Sequence, residues 1–409
     1  MKVLVLGAGY VGLATSVAVL QNGHEVDLHD NNLEKLEQIS KGVMPFFETG
    51  LTELISNSLS TNKLRIGISS DSYKCILICV GTPSLPNGQI DLSQIIAAVD
   101  DAAQLSDSDG VIVIKSTVLP GTTDEIQQSR PGISLAMVPE FLREGTAVQD
   151  ALFPDRIIYG VNSKSNAEFL SGILNPSKNA AEMVTNPSTA EMSKYISNSF
   201  FATLITFANY WDEIAKSNPN IDAVVALETL QSDRRFNSAN NELDFFKYLV
   251  PGIGFGGSCF PKDLRAMASF EPVSRMQNNL FNAILQINEE RTAKSADRFH
   301  KESTASIYLI AGMAFKEGTS DTRESPAIRF YEFLKNKNQE TYWYDESIID
   351  IPDDLQSNRV DNLAEFLQTR KSVEVFWTNH DANLRKKLEY LKAKFPEHKF
   401  TGVRGQQIS

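Results

Sequence analysis

The chain opens with an apolar run, Lys2–Leu6 (KVLVL), that stops abruptly at Gly7. A short continuous run of this kind, closed by glycine, predicts a strand buried on both faces. Ala14–Gln21 then carries small residues in a helical pattern, and Glu25–His29 reads as a second strand. Apolar strands recur at Cys75–Val80, Gly110–Ile114 and Ser134–Val138, with helical patterns such as Leu92–Leu105 between them. Alternating strands and helices imply right-handed crossovers and a parallel, doubly wound sheet, here to about residue 180. From Ser188 the pattern changes. Met192, Ile196, Phe200, Leu204, Phe207 and Trp211 recur at helical spacing, and Thr189–Ile214 contains no glycine or proline. One long helix is predicted, capped by Ser188 or Thr189 with Glu191 in its first turn. Further helices are expected over Val224–Thr229 and Leu280–Phe299. Alternation then returns, with strands at Ser306–Ala311, Glu340–Tyr344 and Val373–Trp377 and a helix at Ala327–Lys335.

Length and charge narrow the classes. A chain of 409 residues exceeds one ordinary core, so several domains are expected. The net charge of -12 repels phosphate backbones and anionic bilayers, so neither nucleic acid nor a membrane is an expected partner. No stretch of about 20 apolar residues could span a bilayer. The apolar amino terminus is interrupted by three glycines and lacks a small-residue cleavage site, which argues against a signal peptide. Three cysteines cannot build a disulfide framework, and the five histidines lack metal-ligand spacing. The expectation is a cytoplasmic protein without a catalytic metal.

The first turn carries specific chemistry. Gly7, Gly9 and Gly12 form G-x-G-x-x-G directly after the first strand, and Tyr10 and Val11 open the helix beyond it. The first glycine permits the turn, the second lets backbone approach a pyrophosphate, and the third lets helix and strand pack closely. The helix amino terminus would face the phosphates. Asp30 ends the second strand, 21 residues after Gly9, where a carboxylate accepts ribose hydroxyls and repels a 2'-phosphate. NAD is therefore the expected cofactor, with Lys35 near its pyrophosphate or ribose edge. The fold class expected is α/β, with two doubly wound Rossmann-like domains joined by a long central helix and a helical dimerisation region. The boundaries expected are 1–180 for NAD binding, 181–295 for the helical dimer core and 296–409 for the second Rossmann-like domain. Cys75 and Cys79 lie in an apolar strand and read as core.

The most informative segment is GIGFGGSCFPKD, Gly252–Asp263. Glycines and a proline around one cysteine shape a loop that lets a ligand approach the backbone. Lys262 could favour the thiolate of Cys259 or bind an anion, and Asp263 could orient a water or a lysine. Taken alone, Cys259 could equally be a buried structural thiol. KSTVLPGT (Lys115–Thr122) and PEFLREG (Pro139–Gly145) each follow a strand at its carboxyl end, where ligands bind in such sheets. The second brings Glu140, Arg143 and Glu144 to that rim. EMSKYISN places Lys194 and Asn198 four apart on one helix face.

With these motifs in order, the chain resembles the UDP-glucose 6-dehydrogenase and GDP-mannose 6-dehydrogenase superfamily over nearly its whole length. The matching segments are GAGYVGL, CVGTP (Cys79–Pro83), KSTVLPGT, PEFLREG, FPDRIIYG (Phe153–Gly160), GIGFGGSCFPKD and AGMAFKEGTSDTRESP (Ala311–Pro326). The resemblance implies two successive NAD-dependent oxidations of a sugar C6 alcohol, with UDP-glucose to UDP-glucuronate the leading instance and a homodimer as the assembly. It further implies that Cys259 is the nucleophile, Glu144 the general base of hydrolysis, Lys194 the oxyanion partner and Asn198 a hydrogen-bond donor. Asp263 and Thr117 would position water. Thr82, Thr117, Glu144, Lys262 and Arg323 would line NAD. Phe141, Leu142, Glu144, Lys194, Asn198, Tyr248, Leu249, Val250, Pro251, Gly252, Gly256 and Lys316 would hold the nucleotide sugar. Arg235 matches an arginine that reaches a neighbouring subunit's site. The stretch SDRRFNSANNELDFFKYLVPG (Ser232–Gly252) departs from the family, being longer and lacking a glycine after Phe236. That departure leaves GDP-mannose and UDP-N-acetylhexosamines open as substrates. Two other readings are a single-step hydroxy-acid dehydrogenase with an idle cysteine, and a non-catalytic nucleotide-sugar sensor.

Overall fold

The computed structural model describes residues 1–233, 235–236, 244–348, 355–379 and 381–403. Within the stretch Ser232–Gly252, Arg234 and residues 237–243 lie outside the described residues. Two compact units emerge, Met1–Ser197 with Ser269–Val273, and Asn198–Ala268 with Ser274–Ser409.

In the first unit eight strands form one sheet. They are β1 (Lys2–Leu6), β2 (Glu25–His29), β3 (Leu64–Ile66), β4 (Tyr73–Ile78), β5 (Ser106–Ile114), β6 (Leu135–Met137), β7 (Arg156–Gly160) and β8 (Ala181–Thr185). Their spatial order is β3-β2-β1-β4-β5-β6-β7-β8. All neighbours are parallel except β6 and β7. The apolar runs have their reason here. Val3, Val5, Leu77 and Val113 enter one core, while Leu4, Leu6, Ile76, Ile78, Ile112 and Ile114 enter the core on the other face. A strand buried on both faces needs apolar residues at every position. The order reverses between β1 and β4, and loops at the carboxyl ends of strands beside such a reversal form the ligand crevice of open α/β sheets.

The second unit holds a four-stranded sheet of β9 (Ile307–Ala311), β10 (Glu340–Tyr344), β11 (Val373–Trp377) and β12 (Lys399–Gly402). Its order is β10-β9-β11-β12, all parallel, with a reversal between β9 and β11. Ile307, Leu309 and Ala311 again face one core, and Tyr308 and Ile310 the other.

The long helix runs over Pro187–Ala215, two residues earlier than the apolar pattern suggests. Asn186, not Ser188 or Thr189, caps it, its Oδ1 accepting from Thr189 N at 2.8 Å. Pro187 stands at the first helical position, where its missing N–H costs nothing. Because the helix starts at Pro187, Glu191, expected in the first turn, lies just beyond it. It is fully buried and accepts from Gly121 N (2.6 Å), Thr123 N (2.8 Å) and Thr123 Oγ1 (2.6 Å), tying the Lys115–Thr122 loop to the helix. Burial pushes its carboxyl up to about 7 even though those donors pull it down.

Candidate active site

At the end of β1 the backbone turns through Gly7, at φ +104°. A Cβ there would lie 2.6 Å from the carbonyl oxygen of Cys79, so both conformation and space require glycine. Gly12 has a harder constraint, since its Cβ would fall 1.8 Å from the Gly7 carbonyl oxygen. Around Gly9 the space is open, with nothing within 4 Å of an added Cβ. Gly9 is also the cap of the helix Tyr10–Gln21 and provides no side-chain acceptor for the helix's first N–H groups. An open glycine at an uncapped helix start fits a pyrophosphate. Asp30 is fixed beside it, Oδ2 accepting from Ala8 N (2.8 Å) and Oδ1 from Asn32 N (2.9 Å). Lys35 pairs with Asp30, its Nζ 3.0 Å from Oδ2. Burial pushes the Asp30 carboxyl up, but the two N–H groups and Lys35 outweigh it and hold the group below the usual range.

The Tyr10 phenol turns away from the cradle. It donates to Glu48 Oε2 at 2.7 Å, and the same oxygen accepts from Gly145 N at 3.0 Å. Burial and the Glu48 carboxylate push the phenol up, so it stays protonated. Glu48, 4% exposed, thereby ties the helix start to the loop bearing Glu144. No sequence signal marks it. Val11, Thr82, Thr117, Phe141, Leu142 and Glu144 are half-buried in this unit.

Lys194 is 4% exposed and pairs with Glu140 Oε1 at 2.7 Å. Glu140 Oε2 accepts from Leu142 N at 2.7 Å, so one carboxylate orients both the lysine and the Phe141–Leu142 backbone. The Phe141 ring carries the Arg156 guanidinium 4.0 Å from its centroid. Lys115, the first residue past β5, is 8% exposed and donates to the Val138 carbonyl at 3.3 Å. Burial pushes its ammonium below the usual lysine range. A lysine at the end of an apolar strand is visible in the sequence; its burial is not. Cys75 and Cys79 are buried, and burial pushes both thiols up to about 12, far from reactive.

The second unit builds its own constellation. Cys259 precedes the helix Phe260–Ser269, and its carbonyl accepts from Asp263 N at 2.9 Å, so the half-buried thiol occupies the helix cap position. Asp263, 3% exposed, accepts from Asn198 Nδ2 at 2.5 Å and Lys262 Nζ at 2.6 Å. Lys262, expected beside the thiol or an anion, is thus held by its neighbour's carboxylate. Upstream, a Cβ on Gly256 would lie 2.2 Å from the Glu324 carbonyl oxygen, and Gly257 N donates to the Arg323 carbonyl at 2.9 Å. Arg265 makes a two-pronged ion pair with Glu324. The loop bearing Lys316 and Arg323 is therefore moulded onto the cysteine loop. The Arg323 guanidinium lies on Asp321 at 2.6 Å, and the half-buried Lys316 accepts at its carbonyl from Thr319 Oγ1 at 3.0 Å. Tyr248 packs on Phe201 with ring centroids 4.4 Å apart; Leu249 and Pro251 are buried, and Val250 and Gly252 half-buried. Arg235 does not join this group. It is exposed and paired with Asp233 at 2.5 Å.

Among the described residues no group of three or more His, Cys, Asp or Glu could hold a metal ion, and no helix is long and apolar enough to cross a membrane.

A parallel sheet with a glycine cradle and a fixed acid, with a second parallel sheet behind a thiol-bearing loop, defines a nucleotide-dependent α/β protein of the dehydrogenase class. The chain belongs to the UDP-glucose/GDP-mannose dehydrogenase family. Residues 1–178 match its NAD binding domain, 188–290 its central domain and 309–401 its UDP binding domain. The UDP-glucose 6-dehydrogenase of Rickettsia bellii is 35% identical over 82% of this chain and 79% of its own length. The GDP-mannose 6-dehydrogenase of Azotobacter vinelandii is 31% identical over 85% of this chain and 82% of its own. Among solved structures, a UDP-glucose dehydrogenase from the archaeon Pyrobaculum islandicum has a TM-score of 0.84 at 29% identity, covering 98% of this chain and 94% of that one.

Proposed function

We propose that this chain oxidises the C6 primary alcohol of UDP-glucose to the carboxylate. The observation that carries the reading is the Cys259 thiol at a helix start, in a glycine loop moulded onto the Lys316–Arg323 segment. The match of 309–401 to a UDP binding domain and the names of the curated relatives support UDP-glucose as the substrate.

Gly7, Gly9, Gly12 and Asp30 would hold NAD, which would supply the hydride acceptor for each of two oxidations. The chain's residues have separate tasks. Lys194, with its charge steadied by Glu140, stabilises the oxyanion at C6, and Asn198 adds a hydrogen bond. The Cys259 sulfur, favoured as an anion by the helix start, bonds to the aldehyde carbon while the carbonyl oxygen takes a proton, giving a thiohemiacetal. Loss of hydride and of that proton leaves a thioester. Water, placed by Thr117 and Asp263 and deprotonated by Glu144, attacks it; the carbon–sulfur bond breaks and the carboxylate leaves. One alcohol and one water thus yield one carboxylate, two reduced cofactors and three protons. Thr82, Lys262 and Arg323 complete the NAD contacts, and Phe141, Leu142, Tyr248–Gly252, Gly256 and Lys316 those of the sugar nucleotide.

The working form is a homodimer in the cytoplasm. Ile196, Phe200, Phe207, Trp211 and Ile214 stand at helical spacing along the long helix and are 44–60% exposed. An apolar stripe of this length in water is characteristic of an interface. Arg235, outside its own unit's constellation, would serve the partner.

A panel of UDP- and GDP-sugars assayed for NADH tests the reading. UDP-glucose should be the preferred substrate and yield two NADH per sugar; a yield of one, or preference for GDP-mannose or a UDP-N-acetylhexosamine, overturns the corresponding part. Cys259→Ser should stop steady turnover, and full turnover in it would leave the single-step dehydrogenase. Light scattering should give twice the chain's 45.4 kDa.

A further inference from the structure

Between Pro251 and Cys259 the chain forms neither strand nor helix, yet Ile253 and Phe255 are only 2% and 4% exposed. Buried backbone without a ladder must find its hydrogen bonds elsewhere. Side chains from the long helix and from Leu280–Glu302 supply most of them, and Arg329 Nη2, on the helix Pro326–Asn336, also donates to the Phe255 carbonyl at 3.3 Å. Asn209, on the long helix, accepts from Gly252 N at 2.6 Å. From the helix Leu280–Glu302, Arg291 Nε donates to the Gly252 carbonyl at 2.8 Å and Thr292 Oγ1 to the Ile253 carbonyl at 2.7 Å. Asn288 meets Phe255 twice, Oδ1 accepting from its N–H at 2.7 Å and Nδ2 donating to its carbonyl at 3.0 Å. It pairs Phe255 as one residue of a neighbouring strand would.

Asn209, Asn288, Arg291 and Thr292 are 2–5% exposed. Arg291 is itself locked by Asp212 at 2.6 Å and Glu213 at 3.0 Å, so the grip is rigid before any ligand arrives. Gly254 shows how closely it is built. Its φ is +132°, and a Cβ there would sit 2.9 Å from Asn288 Oδ1 and 3.0 Å from Thr292 Oγ1. The second glycine of GIGFGG is thus the residue that lets the grip close.

We propose that Asn288, with Asn209, Arg291 and Thr292, is a positioning residue that sets the place of the Cys259 thiol by holding the backbone of residues 252–255. The proposal rests on the reading of Cys259 as nucleophile. Nothing in the grip touches the sulfur; it fixes one end of the loop, and the Arg323–Glu324 backbone fixes the middle at Gly256 and Gly257. Misplacing a reacting atom by about 1 Å costs on the order of a hundredfold in rate.

The test uses the full-length protein carrying Asn288→Ala, Gly254→Ala, or both. Each single substitution should lower kcat for UDP-glucose by roughly 10–100-fold with the KM for NAD unchanged. The NADH yield per sugar should fall below two, with released aldehyde captured by a hydrazine. Asn288→Ala removes both hydrogen bonds to Phe255, while Gly254→Ala sets a Cβ against Asn288 and Thr292; the double variant relieves the clash with Asn288, so its loss should be less than the product of the two single losses. Thr292→Val, nearly isosteric, removes a single bond; it should stay folded and shift the same readouts less. Folded Asn288→Ala and Thr292→Val proteins with the parent's kcat, two NADH per sugar and the parent's rate of Cys259 alkylation by iodoacetamide would overturn the proposal. That alkylation rate needs no substrate. If the parent fails to oxidise UDP-glucose, a changed rate in the variants still supports the grip and an unchanged rate still refutes it.

Discussion

The two sheets repeat one device and then use it differently. After β1, Gly7 turns at positive φ, its N–H donating to the His29 carbonyl at 2.8 Å, and Asp30 accepts from Ala8 N at 2.8 Å. After β9, Gly312 turns at φ +91°, its N–H donating to the Tyr344 carbonyl at 2.9 Å, and Asp345 accepts from Met313 N at 2.7 Å and Ala314 N at 3.0 Å. Both acids also bond the N–H two residues on, Asn32 and Ser347, at 2.9 Å. The two units diverge in the chain just past the turn. In the first unit a helix starts at once, at Tyr10, and its bare amino terminus stands at the strand end. In the second the next helix waits until Pro326, and Ser325 caps it. The residues between go to the cysteine loop instead. A strand–turn–acid switch is therefore general scaffolding; where the next helix begins decides whether it cradles phosphate or supports a reactive loop.

Three experiments break or sharpen this comparison. The largest effect concerns Cys79, beside Gly7, against Cys259 in the second unit. At pH 8 a thiol pushed up to about 12, as Cys75 and Cys79 are, is ionised to about one part in 10⁴, against roughly a quarter for an ordinary thiol. Iodoacetamide should label Cys259 about a thousandfold faster than either in the folded protein, and all three alike in denaturant, as read by mass spectrometry. Comparable labelling of Cys79 in the native state would show that the first switch is not closed.

Next come the turn glycines. Gly12→Ala drives a Cβ onto backbone that cannot yield, so NAD affinity by calorimetry should fall about 10- to 100-fold, the equivalent of ~1–3 kcal/mol of overpacking. For Gly312→Ala the nearest atoms belong to the Asn379 side chain, at 2.7 Å, which can move. It should cost about 1–2 kcal/mol of stability from its positive φ and leave NAD affinity alone. Equal effects of the two on NAD would erase the distinction.

The last experiment separates the acids. Asp345→Ala strands two buried N–H groups and should lower stability in urea by roughly 2–3 kcal/mol without touching NAD affinity. Asp30, 14% exposed, should cost about 1 kcal/mol when replaced by Ala but raise the KM for NAD. Since the folded Asp30 carboxyl is held below the usual range, its stabilising contribution stands above the ordinary carboxylate pKa and is lost as pH falls through its lowered value. An Asp30→Asn protein should show a shallower loss of stability on acidification; an identical acid limb would contradict the assigned partners.

Much of the fold is legible in the chain, for reasons that differ by element. β1, β2, β10 and β11 can be placed to the residue or nearly so, because each is a short run centred on apolar or aromatic residues and bounded by glycine or polar residues, although β2 buries Asp27 and β11 buries Glu374 within it. β3, three residues at a sheet edge, and β8, whose residues are mostly exposed, have no such pattern and escape it. The long helix is visible from its stripe, but its start is not, since Asn186 and Pro187 cap it as well as Ser188 would. In the site, spacing picks out the glycine cradle, Asp30, and Lys194 with Asn198 on one helix face, but not the bond between Asn198 and Asp263. Glu48, Glu140 as partner of Lys194, and Asn288 give no local sign, because each acts on a segment far away in sequence: Glu48 reaches Gly145, and Asn288 reaches Phe255.

Sequence alone thus determined the alternation of strands and helices and the glycine turns, because periodicity and positive φ are local properties of neighbouring residues. Only the tertiary structure decided which charges are committed to each other. It turned Lys35 and Lys262 toward Asp30 and Asp263, buried Lys115 and Glu191, and gave the cysteine loop its partners from Asn209, Asn288, Arg291 and Thr292. Burial and pairing depend on what the rest of the chain brings close, and no window of sequence contains that.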